Sequence, residues 1–287
     1  MKKISLYFLA FTAAIFTSCE SDDKIVDEVL EGITSSAILR TRTLEGAPYN
    51  AFVPESALTI VVEAQNGRPD SEITSVDLYL SFADNQGDDT DNSVAEQLVR
   101  TFEPSEFVTG SRDLPEITFN TTLEESATAL GLSESDYTGG DVFTYRYEVN
   151  LSDGTSWTNV NGNANITGGS YFASPYAYNV SVSCIPIDPV PGEYTLDMED
   201  SYGDGWNGAS VRVTVDGVAT DYTITSGSAG SETIIIPETA TTWFWEYVSG
   251  DWDSEVTFSI TAPNGEVAFS DGPSPSIGEI ILNICPD

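Results

Sequence analysis

Apolar and polar residues alternate along most of this chain, and the period is two. Val76, Leu78, Leu80 and Phe82 fall on one face, as do Phe143, Tyr145, Tyr147 and Val149, and again Tyr176, Tyr178, Val180 and Val182. Successive side chains of a strand point to opposite faces, so this spacing predicts half-buried β-strands. Leu58–Val62 and Ile117–Phe119 add shorter runs, and Asp153-Gly154 supplies a turn. One stretch breaks the period. Thr122 to Leu132 predicts a helix, with Thr121 and Glu124 as its capping box and Gly131 at its C-terminal end. Alternation resumes in Tyr194–Met198, in Val211, Val213 and Val215, in Trp243–Tyr247, and in Val256, Phe258 and Ile260. Between the two sets lies Ile185–Gly192, whose Pro186, Pro189 and Pro191 predict an extended linker. The expected fold is all-β, with two β-sandwich domains. The first, over 35–184, is immunoglobulin-like and holds one short helix; the second, over 193–287, is jelly-roll-like.

The first eighteen residues read differently. Lys2 and Lys3 precede a thirteen-residue apolar run, Ile4 to Phe16, too short to span a bilayer and suited to a signal peptide. Phe16-Thr17-Ser18-Cys19 resembles a bacterial lipobox, although Phe16 stands where leucine is usual. That resemblance implies lipidation of Cys19 and an anchor in the outer membrane. Residues 19–34 form an acidic tether. Its Glu20-Ser21-Asp22-Asp23 resembles the surface-export signal of Bacteroidota-type lipoproteins, or else serves only as a solvated spacer.

Charge and cysteine content narrow the chemistry. The chain carries 46 acidic against 10 basic residues, a formal net charge of −36, and no histidine. Such a field disfavours nucleic acid and adsorption to anionic surfaces. Without histidine there is no Ser-His-Asp or Cys-His machinery and no His-ligated metal centre. A two-carboxylate glycosidase remains formally open, but acids are so dense that chance pairs are expected. With Cys19 taken by lipid, Cys184 and Cys285 remain, each ending an apolar strand-like run, and they predict a disulfide that closes the second domain.

The chemistry concentrates in Asp200-Ser201-Tyr202-Gly203-Asp204-Gly205-Trp206-Asn207-Gly208, a loop between two predicted strands. It formally contains G-x-G-x-x-G, but a strand-like segment follows where a dinucleotide site needs a helix, and Asp204 would repel phosphate. Oxygen ligands on a turned, glycine-punctuated backbone suit a hard cation, calcium first. The competing reading is a loop held by Asx-turn hydrogen bonds with Trp206 packed in the core. A second acidic loop, Asp84–Asn92, reads as a solvated turn.

Together with Gly250-Asp251-Trp252-Asp253-Ser254-Glu255, the nonapeptide resembles a recurrent β-sandwich module of secreted and cell-surface bacterial proteins. The resemblance spans about Cys184 to Cys285 and implies a shared site at Asp200, Asp204, Asn207 and Glu255. Trp206 and Trp252 are candidates for stacking on a ligand, whereas Trp243 and Trp245 share a strand face and predict core packing. These readings converge on a non-enzymatic, surface-exposed outer-membrane lipoprotein that binds a glycan or a protein, stabilised by calcium. The alternative is an accessory subunit of a SusC/SusD-type outer-membrane complex. Mass spectrometry of protein purified from membranes is expected to find diacyl or triacyl glyceryl-cysteine at Cys19 as the mature N-terminus. An unmodified terminus elsewhere would remove the anchor.

Overall fold

The computed structural model describes residues 36–68, 70–86, 90–162, 164–169 and 171–285; the expected signal peptide, Cys19 and the tether lie outside them. Ala37–Asp287 group as one compact unit, and within it two separate hydrophobic cores form. No helix among the described residues is long and apolar enough to cross a membrane.

The first core lies between two sheets. Its strands are β1 (Ala37–Glu45), β2 (Tyr49–Asn50), β3 (Ala57–Asn66), β4 (Ile73–Ala83), β5 (Val94–Phe102), β6 (Val108–Thr109), β7 (Pro115–Thr122), β8 (Val142–Leu151), β9 (Ser156–Trp157) and β10 (Ala177–Ser183). One sheet has the order β1-β3-β7-β6 and the other β2-β10-β8-β4-β5, with β9 on β8. The first order is the A-B-E-D sheet of an immunoglobulin domain, and β10-β8-β4 is its G-F-C sheet. Alternation does its predicted work: every second residue of β8 from Phe143 to Leu151 is buried. A fully buried side chain of this size contributes about 1.5–3 kcal/mol.

The helix α1 runs from Leu123 to Ala129, shorter than expected. Its N-cap is Thr122, paired in a capping box with Glu125, one residue later than the sequence suggested. Thr121 is not the cap because its side chain faces the interior, where its hydroxyl meets Ser126. The C-terminal end is as expected, with Gly131 at φ +76° and Leu132 N–H donating to the Ala127 carbonyl. Ser126 Oγ also meets the Tyr145 hydroxyl, itself 2.6 Å from that of Tyr49, and this buried network fixes α1 to the core. A second, one-turn helix, α2 (Ala164–Thr167), had no signal in the sequence.

The second core lies between β14-β11-β16-β17 and β13-β12-β15-β18. These are β11 (Gly192–Asp200), β12 (Ser210–Val215), β13 (Val218–Tyr222), β14 (Ala229–Ile236), β15 (Trp243–Val248), β16 (Val256–Thr261), β17 (Val267–Asp271) and β18 (Gly278–Glu279). Trp245 is buried in this core and Trp243 packs against it.

Between the cores the chain is latched to itself. Cys184 and Cys285 form the disulfide, with Cα atoms 4.9 Å apart. Ile284 N–H donates to the Cys184 carbonyl at 2.8 Å, and Cys184 N–H donates to Asn283 Oδ1 at 2.6 Å. Asn50 of the first sandwich donates to the Ile185 carbonyl and accepts from Ile185 N–H. The disulfide therefore closes the second sandwich, as expected, and does so against the base of the first. Gly139 lies under it, where an added Cβ would overlap both sulfurs. Gly139→Ala is expected to cost about 1–3 kcal/mol by overpacking, read from denaturant melts. In a Cys184→Ser, Cys285→Ser background that cost should shrink, because the hydroxyls are smaller and no longer bonded. An equal cost in both backgrounds would place the clash elsewhere.

Candidate functional site

Strand β11 leaves the linker at Gly192 and ends at Asp200, at the far end of the second sandwich. Its alternation buries Tyr194, Leu196, Met198 and finally Asp200, which is 3% exposed. A buried carboxylate must find donors. Asp200 Oδ2 accepts from the amides of Gly203 at 2.9 Å and Gly205 at 2.8 Å, and Oδ1 from that of Tyr202 at 3.2 Å. These bonds wind the loop around one side chain. Gly205 adopts φ +97°, and a Cβ there would meet the backbone of Ile224–Ser226 at 2.8 Å.

The winding turns Trp206 inward. It is 1% exposed, packs against Tyr247 and Phe258, and donates its indole N–H to the Glu199 carbonyl at 2.9 Å. Trp206 is therefore a core residue and not a stacking platform, which corrects one of the two tryptophan expectations. Asn207, at φ +50°, turns its amide NH₂ to Asp204 Oδ1 at 2.8 Å and to the Gly205 carbonyl at 2.9 Å. In this arrangement Asn207 clamps Asp204.

A second loop, between β15 and β16, is wound by Asp253. Its carboxylate accepts from the Tyr247 hydroxyl, Gly250 N–H and the Ser249 hydroxyl. The two loops are stitched together by Asp251 N–H to the Asn207 carbonyl and by Ser201 N–H to the Glu255 carbonyl, both at 3.0 Å. Asp200, Asp204 and Glu255 thereby bring one carboxylate oxygen each within 4.8 Å of one another. Three of the four residues expected to share a site do so through carboxylates, and the fourth positions one of them.

Electrostatics divides the three. Desolvation is the strongest influence on Asp200 and pushes its pKa up, but the amides of Gly205, Tyr202, Gly203 and Asp204 together outweigh it and hold the carboxyl below its usual range. Glu255 is raised by desolvation first, then by the charges of Asp200 and Asp204. No base relieves it. Arg212 is the one basic residue after position 191, against seventeen acidic ones, and it is paired with Asp221 and Glu246. Oxygen donors crowded this way suit a hard divalent cation.

Two aromatic residues stand beside this cluster. Trp252 is 69% exposed and held at φ +71°, a left-handed conformation that bulky residues rarely adopt. Tyr202, between Asp200 and Asp204, is 76% exposed. Trp252 is the exposed ring expected from the sequence; Tyr202 is not foreseen there, because β11's alternation, carried two residues past Asp200, would turn it inward.

No protein-family model matches the chain, and no curated protein matches it. Among solved structures, it is similar to a bacterial adhesin from Mobiluncus mulieris containing intramolecular disulfide, isopeptide and ester bond cross-links, seen in two crystal forms. Identities are 11% and 10%, 80% of each chain is covered, and the TM-scores are 0.22 and 0.23. Scores at that level transfer no function.

The raised pKa of Glu255 carries a sign. The folded state binds that proton more tightly than the unfolded chain, so ionised Glu255 costs stability once the pH exceeds its raised pKa. In metal-free buffer at neutral pH, Glu255→Gln is expected to melt above wild type. The gap should close as the pH falls through the raised pKa into the ordinary glutamate range, where Glu255 is protonated in both states. Asp200 works oppositely: its contribution is lost as the pH falls through its lowered pKa. A Glu255→Gln variant that melts below wild type throughout would show the carboxylate to be stabilising without a cation.

Proposed function

We propose that this protein is a non-enzymatic surface lipoprotein, anchored in the outer membrane through Cys19, that binds a glycan at the distal loops of its second sandwich. The observation that carries the reading is Trp252: a large apolar ring, 69% exposed and at a positive φ, on the loop that supplies Glu255 and is hydrogen-bonded to the loop carrying Tyr202. Sugar rings stack on such faces, and hydroxyls suit the polar groups around them. The surrounding negative charge favours a neutral glycan over an anionic one.

Calcium belongs to the same reading, held by Asp200, Asp204 and Glu255, with Asn207 restraining Asp204. An extracellular module of this kind needs only weak affinity, on the order of 10⁻⁴–10⁻³ M. The disulfide supports an oxidising, extracytoplasmic setting.

The test is a glycan array probed with lipid-free residues 20–287, in calcium and in chelator. Wild type is expected to bind neutral glycans in calcium, and Trp252→Ala to lose at least about tenfold in affinity, the order expected when a stacking contact of about 1–3 kcal/mol is removed. Its melting temperature should be unchanged, since the ring covers little. Asp204→Ala should abolish any difference between calcium and magnesium in raising the melting temperature. Absence of glycan binding, or equal binding by the Trp252 variant, would favour the accessory-subunit reading, to be pursued by pull-down from solubilised membranes.

A further inference from the structure

Beside α1, in the first sandwich, the backbone frames a concavity that the distal loops have no part in. Leu123 N–H donates to the Ser56 carbonyl at 3.1 Å and Glu124 N–H to the Pro54 carbonyl at 3.0 Å, so the first turn of α1 is pinned to the β2–β3 loop. Gly131 turns the chain back after α1. Ser133 and Asp136 then cap one turn of 3₁₀ helix, which leads into Tyr137. Among these three pieces lies a cavity of about 290 Å³. Small-molecule pockets begin at roughly 300 Å³, so the space suits a small ligand.

The cavity has an apolar floor and an acidic mouth. Glu124, Ala127 and Thr128 recur at i, i+3 and i+4, and therefore share one face of α1. Ala127 is buried and Leu132 half-buried, and the two offer contact to a short hydrocarbon chain. Glu55, Glu124 and Glu134 are exposed around the opening. Among the described residues none of the three has an ion-pair partner. In a chain with 46 acidic residues, unpaired glutamates alone specify nothing.

Tyr137 makes the difference. It is 7% exposed and its ring packs against Phe143, yet its hydroxyl has no hydrogen-bond partner among the described residues. The Tyr147 hydroxyl, also unpartnered, is sealed in the core, whereas that of Tyr137 opens on the cavity it lines. Leaving a nearly buried hydroxyl unpaired is unfavourable, so the site gains when a ligand meets it. Burial raises its pKa first, and the charges of Glu134 and Glu124 raise it further, which keeps it a neutral hydroxyl. Such a group can accept a hydrogen bond from a bound donor.

The spacing of the carboxylates decides the kind of donor. Among the described residues only Asp200, Asp204 and Glu255 bring three acidic oxygens within 4.8 Å of one another. Glu55, Glu124 and Glu134 are set more widely, too far apart to share one bare metal ion with oxygen ligands at roughly 2.0–2.6 Å. A cation that carries its own N–H donors and an apolar stem fits the lining. We infer that this cavity binds a primary alkylammonium group, with its methylenes on Ala127 and Leu132 and its N–H donors shared between the Tyr137 hydroxyl and the glutamates at the mouth. The group comes from a free diamine or from the lysine side chain of a partner.

Isothermal titration calorimetry on residues 20–287, with the disulfide intact, tests this with 1,5-diaminopentane and with a blocked lysine tripeptide at constant ionic strength. Saturable one-site binding is expected, and the tighter probe identifies the source of the group. Neither 1-pentanol, which has the stem without the charge, nor magnesium, which has the charge without the stem, should compete. Tyr137→Phe should weaken binding about tenfold, as for a lost hydrogen bond to a charged group. Its melting temperature should not fall, because the hydroxyl has no protein partner. Glu124→Gln and Glu134→Gln should each weaken binding several-fold, whereas Asp204→Ala, which removes one charge from the distal cluster, should leave it unchanged. The inference is overturned if neither probe binds, if Tyr137→Phe binds as wild type does, or if magnesium displaces the probes at equal ionic strength. Equal weakening by Asp204→Ala and Glu134→Gln would likewise reduce the effect to the general acidity of the chain.

Discussion

The distal end of the second sandwich depends on one buried carboxylate. Asp200 sits where β11's inward alternation ends, so the fold places a charge at the rim of an apolar core, and the chain must bring donors to it. It does so by turning back immediately, with the amides of Tyr202, Gly203 and Gly205 converging on the carboxylate. That turn has three results. Trp206 points into the core, Asp204 points out beside Glu255, and Tyr202 is left at the surface. Replacing Asp200 would thus affect packing, charge cluster and exposed ring together.

Much of this architecture was legible because burial is periodic. The inward faces of β4, β8, β10, β11 and β16 match the alternation residue for residue, and the two cysteines could pair with little else. Failures occurred where two local patterns were equivalent. Thr121-x-x-Glu124 and Thr122-x-x-Glu125 are equally good capping boxes, and the inward turn of the Thr121 side chain onto Ser126 decides between them. Strand β5 was missed because it lies at a sheet edge with most of its residues exposed, so it has no alternation to read. Trp206 and Trp252 both sit in short stretches rich in glycine and aspartate. Which one faces inward depends on Asp200's buried carboxylate and on the stitching of two loops far apart in sequence, and neither is a local property.

The charge of the second sandwich bears on how its site can work. Seventeen acidic residues and one base share a small domain, and its only base is committed to Asp221 and Glu246 on the outer face of the other sheet. Most of these acids are exposed, and at physiological ionic strength their mutual repulsion is screened over about 8 Å. Asp200, Asp204 and Glu255 are closer than that, and Asp200 is buried, so screening reaches them least. The fold pays for this proximity in the raised pKa of Glu255, while the backbone amides that stabilise Asp200 are pointed away from Glu255's need. Any cation entering among oxygens that lie within 4.8 Å of one another must shed water, but a divalent ion coordinated by them would neutralise two charges where a monovalent one neutralises one. The same general acidity that would draw any cation toward the domain therefore makes the three-carboxylate cluster the place where a divalent one would gain most.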